Sequence, residues 1–243
     1  MATGTLEFAA PIAGVRFEPI DVNVPHAAVE KVVLQTENDE RLKITFHLID
    51  VFTFEGAEAI AARILPSIIN RLAFYRNVSV GEPYQIGGTL PKDPSDSLHT
   101  VRRDLLLLWD EAIPILTLGD DMREELARQL EQPYTHHDLY SLYRFASGQS
   151  DELARFMFFY NILLQLHNDI QRQVDAFILQ ERPDVPQSPS PRSQGRNETV
   201  YTRLRNEVGH RRAGTTPEQT RREIQENIAA FQELVRTAIS RVV

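Results

Sequence analysis

Between Leu42 and Leu72 the hydrophobic period of the chain changes from that of a strand to that of a helix, and few folds accommodate such a switch. Leu42, Ile44, Phe46, Leu48, Phe52 and Phe54 are apolar at alternate positions, with only Asp50 interrupting. That pattern belongs to a strand with one buried face. Ala57, Ile60, Ala61, Ile64, Leu65, Ile68, Ile69 and Leu72 then fall at helical spacing, so a helix should follow at once and pack on the sheet. Asn38-Asp39-Glu40 reads as the turn before the strand, and Val29 to Thr36 as its hairpin partner. Pro66 predicts a kink or break in the helix. Asn77 to Ile86 should add one more strand, at an edge because of Pro83. Gly87-Gly88-Thr89-Leu90-Pro91 and the residues after it, to Asp96, read as a loop and a domain boundary.

Beyond residue 100 the pattern becomes helical. From Asp151 to Gln180, the residues Leu153, Phe156, Tyr160, Leu163, His167, Ile170, Val174 and Phe177 recur at spacings of three and four. This predicts one long helix packed lengthwise in a bundle. Gly119 opens a shorter helix, and His137 to Phe145 reads as another. Arg182 to Gln194 carries four prolines among serines and reads as a flexible loop. Thr216-Pro217-Glu218-Gln219 combines an N-cap threonine, a proline at the first helical position and a glutamine at the third, a capping box. The helix it opens has an apolar stripe of Ile224, Ile228, Phe231, Val235, Ile239 and Val242. The fold class expected is therefore α+β: an N-terminal antiparallel sheet with a packed helix over 1–100, then an antiparallel helical bundle over 101–243.

Composition narrows the chemistry. The chain has no cysteine, which removes disulfides, thiol catalysis and cysteine-based zinc sites. No Gly-rich phosphate loop, nucleophile elbow or Asp-rich calcium loop is present, so no cofactor is expected. His136-His137-Asp138 is a weak metal motif, because adjacent histidines diverge and no third ligand is evident. The first residues lack a basic region followed by an apolar run. No apolar stretch reaches the roughly 20 residues that span a bilayer. The expectation is a cytoplasmic chain with no membrane partner. The net charge of -8 is uneven: residues from Arg192 onward hold 10 arginines and 6 glutamates, while the remainder holds 16 basic and 28 acidic residues. A basic tail on an acidic body is compatible with a local anion site.

Within that tail, Tyr201 to His210 carries Arg205, a polar Asn206 and His210. An arginine neutralises a phosphate and a histidine moves a proton near neutrality, which is the minimum for cutting RNA without a metal. The spacing alone is common, and Arg41 with His47 also satisfies it. Tyr201, Leu204 and Val208 form an apolar stripe, with Arg203, Asn206 and His210 on another face. Arg205 lies about 140° from His210 on an ideal helix. The pair therefore meets only if the helix loosens at Gly209 or if two copies of the chain face each other.

A helix bearing Arg205-Asn206 and His210, followed by a closing amphipathic helix, resembles the HEPN superfamily over roughly residues 115 to 243. Leu204 to Arg211 and the region from Phe158 to Asp175 look most like its Apea-like and methylamine-utilisation MauJ-like members. The resemblance implies a HEPN-like bundle and a metal-independent endoribonuclease acting on RNA at a homodimer interface, in a toxin, stress or antiviral-defence setting. It implies catalytic roles for Arg205, Asn206 and His210 and phosphate contacts for Arg203, Arg211 and Arg212. Glu207 would be auxiliary, as would His167 if it faces Arg205; the N-terminal part, which the resemblance does not cover, is expected to recognise a protein partner or trigger. Nucleotidyltransferase-partnered HEPN toxins carry a tyrosine two positions after the histidine. This chain has Arg212 there, so control by modification of that tyrosine is not implied. The competing implication is a non-catalytic HEPN-like scaffold that dimerises and binds nucleotide, RNA or a protein.

Overall fold

In the computed structural model, which describes residues 2–91, 115–191, 195–210 and 214–242, the N-terminal alternation becomes an antiparallel sheet. Its strands are β1 (Thr3–Ala13), β3 (Ile20–Val22), β4 (Val29–Glu37) and β5 (Arg41–Ile49); a two-residue β2 (Val15–Arg16) lies between the first two. The strand order is β3-β4-β5-β1. The β4–β5 hairpin turns as expected, with Asn38 and Asp39 both at positive φ, 52° and 63°. Short polar side chains tolerate that left-handed region better than most. Leu42, Ile44, Phe46 and Leu48 are buried while Arg41, Lys43, Thr45 and His47 are half-buried.

The strand ends at Ile49, five residues short of the expected Phe54. Asp50 adopts φ 53°, which ends the extended run, and Thr53 accepts a hydrogen bond from the Gly56 N–H at 3.2 Å. Phe54 therefore opens helix α1 (Phe54–Arg76) instead of closing the strand. A cap that satisfies an orphan N–H outweighs two more positions of correct alternation. α1 runs through Pro66 without a break. Pro66 and Ala62, whose carbonyl the proline cannot bond, are both exposed, so water can satisfy that carbonyl. On the opposite face Ala57, Ala61, Leu65, Ile68, Ile69 and Leu72 are buried in the core against the sheet.

The single strand expected over Asn77 to Ile86 is two. β6 (Ser79–Val80) pairs with Ile12 and Ala13 of β1, and β7 (Tyr84–Thr89) pairs with Thr5 to Ala9 of the same strand. Pro83 lies in the interruption. Only Gly87 to Thr89 of the loop expected from Gly87 to Asp96 are strand; Leu90 and Pro91 are not, and residues 92–96 lie outside the described residues. Gly88 is required there because a Cβ would stand 2.8 Å from the Thr5 carbonyl oxygen. A two-residue strand β8 (Leu116–Thr117) lies parallel to β2. Next come α2 (Asp120–Glu131) and α3 (His137–Ser147). Met122, Leu126, Ala127 and Leu130 of α2 join the sheet core, and Phe74 of α1 meets Tyr140 and Tyr143 edge-on at 5.0 and 5.3 Å. The chain divides into two compact units, Met1–Arg144 and Phe145–Val243, the division falling within α3.

The second unit is helical. It holds α4 (Glu152–Leu166), α5 (Gln171–Glu181), a ribbon of β9 (Gln187–Pro189) and β10 (Asn197–Thr199), α6 (Val200–Gly209) and α7 (Pro217–Ser240). The long helix expected over Asp151 to Gln180 is broken, since Asn168 and Asp169 both sit at positive φ, 55° and 59°. The apolar spacing stays in phase across the break, so periodicity could not reveal it. The segment expected to be a proline loop contains β9, with Ser188 opposite Glu198. α7 begins with the expected capping box, Thr216 and Gln219 each bonding the other's backbone. Phe231 of α7 packs against Phe156 at 4.9 Å and Tyr201 at 4.6 Å, whereas Val242 at the end of the stripe is 46% exposed. Among the described residues no helix is long and apolar enough to cross a membrane.

Candidate functional site

Thr199 joins β10 to α6 and sets the geometry of everything that follows. Its side chain caps α6, accepting from the Thr202 N–H at 3.3 Å, and donates to Asp175 Oδ1 at 2.8 Å. Asp175 comes from α5, where it is buried between Val174 and Phe177, and a carboxylate in such a place needs donors on every side. Oδ1 accepts from the Thr199 N–H at 3.1 Å and from Thr202 Oγ1 at 2.6 Å. Oδ2 accepts from Arg196 Nη2 at 3.1 Å. Thr202 has a single hydroxyl proton and gives it to Asp175, so the 2.7 Å contact with Tyr160 is donated by the phenol. Burial pushes the Tyr160 phenol well above its ordinary range, which keeps that proton in place. Tyr160, Thr202 and Asp175 thus form a directed chain from α4 through α6 to α5.

Asn206 continues the network one turn along α6. It is buried, its Nδ2 donates to Glu198 Oε2 at 3.3 Å, and its Oδ1 accepts from Gln171 Nε2 at 3.0 Å and Arg205 Nη1 at 3.1 Å. The Arg205 guanidinium lies 5.9 Å over the Tyr160 ring, a cation–π distance. Its Nε is buried without a hydrogen-bond partner. Among the described residues no carboxylate stands within ion-pair distance of Arg205, as is also true of Arg155, Arg172, Arg182 and Arg222, whereas Arg196, Arg203, Arg221, Arg236 and Arg241 of the same unit each have one. Arg205 is therefore a half-buried cation held by a neutral amide and an aromatic face, with no direct ion pair among the described residues and with Glu198 on the far side of the Asn206 amide.

The other expected site residues separate. His210 is the C-cap of α6, in extended backbone with φ -149° and ψ 130°, and its side chain is exposed. Its N–H bonds the Asn206 carbonyl at 2.9 Å, so the helix stays regular up to Gly209 and does not loosen to bring His210 round to Arg205. No hydrogen bond or ring contact joins the two within one chain among the described residues. Arg203, Asn206 and His210 do not share a solvent face, because Asn206 points into the buried network. Arg203 is held by Glu207 at 2.8 Å and by Glu223, and Thr220 donates to Glu207 at 2.9 Å. Two carboxylates already match the Arg203 charge. This pairing engages Arg203 and Glu207 in tying α6 to α7.

His167 caps α4, with its ring 5.1 Å from Phe177 and its Nε2 buried without a partner. Burial lowers its pKa, so near neutrality it is an uncharged packing residue with no contact to Arg205. Arg211 and Arg212 lie outside the described residues. The residues missed by periodicity are Gln171, Asp175, Glu198, Thr199 and Thr202. Asp175 carried a usable signal, a carboxylate flanked by buried Val174, Phe177 and Ile178. Thr199 with Thr202 carried another, a cap and its third residue at the start of a helix. Among the described residues there is no group of three or more histidines, aspartates and glutamates suited to a metal ion. No family model matches this chain, no curated protein is similar to it and no solved structure matches its fold.

Proposed function

We propose that the chain is a metal-independent endoribonuclease of HEPN type, with each site completed across two copies of the chain. The observation that carries this reading is Arg205: a guanidinium positioned by Asn206 and Tyr160 and, among the described residues, without a carboxylate in ion-pair distance. Maintaining a half-buried cation without a direct ion pair costs stability, and a phosphate anion supplies the missing partner. RNA brings its own nucleophile. The 2'-hydroxyl attacks the adjacent phosphorus while His210 accepts its proton, the bond to the 5'-oxygen breaks, and that oxygen takes a proton from water as His210 returns its own to solvent. The products are a 2',3'-cyclic phosphate and a 5'-hydroxyl. Arg205 stabilises the charge that develops on the phosphorane oxygens.

Asn206 acts as a positioning residue in this scheme, since its burial keeps it from RNA and its amide oxygen fixes Arg205. The exposed His210, with no orienting side-chain partner among the described residues, supports the second copy: a two-fold arrangement can bring one chain's histidine to the other's arginine. The same exposure also suits a second reading, a dimeric module that holds a phosphate on Arg205 without cutting. Incubation of purified protein with mixed RNA in EDTA separates them. Cleavage should fall by about a hundredfold or more in His210→Ala, the usual contribution of a proton-transferring side chain. Equal cleavage by wild type and His210→Ala, or none by the wild type, rules the nuclease reading out.

A further inference from the structure

The N-terminal unit holds a cavity of about 680 Å3 between α1, the end of α2, the segment from Asn23 to His26 and the residues leading into α3. From this cavity and its buried arginine we infer a second site, independent of the RNA-cleaving one, that binds a small organic carboxylate with an apolar body. Cavities of roughly 300 to 1,000 Å3, mostly apolar with a few convergent polar groups, are the usual form of small-molecule sites. Val24, Pro25, Ile64, Ile68, Leu130 and Pro133 supply the apolar wall.

Arg71 supplies the charge. It is 4% exposed, and its donors can be counted. Nε donates to the Ser67 carbonyl at 3.2 Å, and Nη1 donates to the Gln132 and Gln129 carbonyls at 2.7 and 3.2 Å. These bonds cap the C-terminal end of α2, a favourable place for a cation. They use neutral acceptors only. The two Nη2 protons have no partner among the described residues, and none of those residues places a carboxylate within ion-pair distance of Arg71. The guanidinium also lies 5.3 Å over the Tyr134 ring. Helix capping explains three donors and leaves two, together with a full buried charge, at the wall of an apolar cavity. A buried cation in that state is stabilised by an anion that accepts from Nη2.

The surroundings select a monoanion. Glu131 also lines the cavity, occupied by the Asn23 N–H at 3.0 Å and Asn23 Nδ2 at 2.8 Å, and its negative charge opposes a dianionic phosphate. Arg63, exposed on α1, and His26 and His137 complete the polar part of the lining. His26 Nδ1 accepts from the Ala28 N–H at 3.2 Å, so its proton is on Nε2 and available to a carboxylate oxygen. Burial holds the Tyr134 hydroxyl above its ordinary pKa, so it adds no competing negative charge.

The test is calorimetric titration of the full chain with phenylacetate and hexanoate, beside the neutral phenylacetamide and inorganic phosphate. Ser67→Phe fills the cavity while keeping the backbone carbonyl that Arg71 uses, and Arg71→Lys keeps a charge but loses the fork. Saturable binding of a carboxylate is expected, weakened about tenfold or more by the amide swap and by each substitution. Ser67→Phe should keep the wild-type circular dichroism spectrum, which separates loss of the site from loss of the fold. No saturable binding of either acid, equal affinity for the amide, undiminished affinity in Ser67→Phe, or tighter binding of phosphate would each overturn the proposal. RNA cleavage uses the other unit and is unaffected by Ser67→Phe, so the two assignments fail separately.

Discussion

Replacing Asp175 tests the polar network that holds Arg205. In Asp175→Ala the Thr199 N–H loses its acceptor inside a buried site, which costs about 1 to 3 kcal/mol. The Thr199 and Thr202 hydroxyls are less stranded, because they lie 3.5 Å apart and Tyr160 offers Thr202 a second partner. Losing their charge-assisted bonds adds about 1 kcal/mol each. The Arg196 side chain is 35% exposed, so water takes its place and that pair contributes little. The sum is about 3 to 5 kcal/mol, a large share of the roughly 5 to 15 kcal/mol that stabilises a typical domain. Asp175→Asn keeps an oxygen facing Thr199 and Thr202 but turns an NH2 group towards Arg196, so it should cost only about 1 to 2 kcal/mol. Urea unfolding followed by far-ultraviolet circular dichroism gives the size of the loss, and amide exchange along α6 assigns it to this unit. The reasoning is refuted if alanine costs less than about 1 kcal/mol, or if asparagine is as damaging as alanine.

Other perturbations have equally definite outcomes. Tyr160→Phe removes one donor to Thr202 but leaves the ring under Arg205; it should cost about 1 kcal/mol in a urea titration and spare RNA cleavage. Gly88→Ala places a Cβ 2.8 Å from the Thr5 carbonyl oxygen; about 1 to 3 kcal/mol should be lost, with faster amide exchange in β1 and β7. The lowered pKa of His167 means that the folded state resists its protonation, so its contribution is intact above the unfolded value near 6.5 and is lost as pH falls below it. The stability difference between wild type and His167→Asn should therefore shrink or reverse from pH ~7 to pH ~5, and a difference constant with pH would contradict that assignment.

Much of the fold was legible because it rests on apolar side chains. The alternation from Leu42 to Leu48, the helical spacing from Ala57 to Leu72 and the capping box at Thr216 each appear where the residues place them. The failures share a physical cause: a backbone event dictated by one or two polar residues inside a pattern that stays in phase. Asp50 and Thr53 end a strand whose alternation continues through Phe52 and Phe54. Asn168 and Asp169 break a helix whose seam continues to Phe177. The site was half legible for a related reason. Amphipathicity located the apolar stripe of α6, but its other face is also covered, by Gln171 and Glu198, and a face buried under polar groups looks solvated in sequence. Asn206 was consequently grouped with His210, whereas it serves Arg205.

The central claim, a cleavage site shared by two copies of the chain, is tested most directly by mixing two inactive variants. Arg205→Ala and His210→Ala should each cut RNA poorly in EDTA. If one chain's arginine serves the other's histidine, random exchange at equal concentrations makes half of the dimers mixed, each with one complete site of two. Cleavage should then recover to about a quarter of the wild-type rate. Failure of the mixture to exceed either variant alone, with exchange of subunits verified, would contradict a shared site.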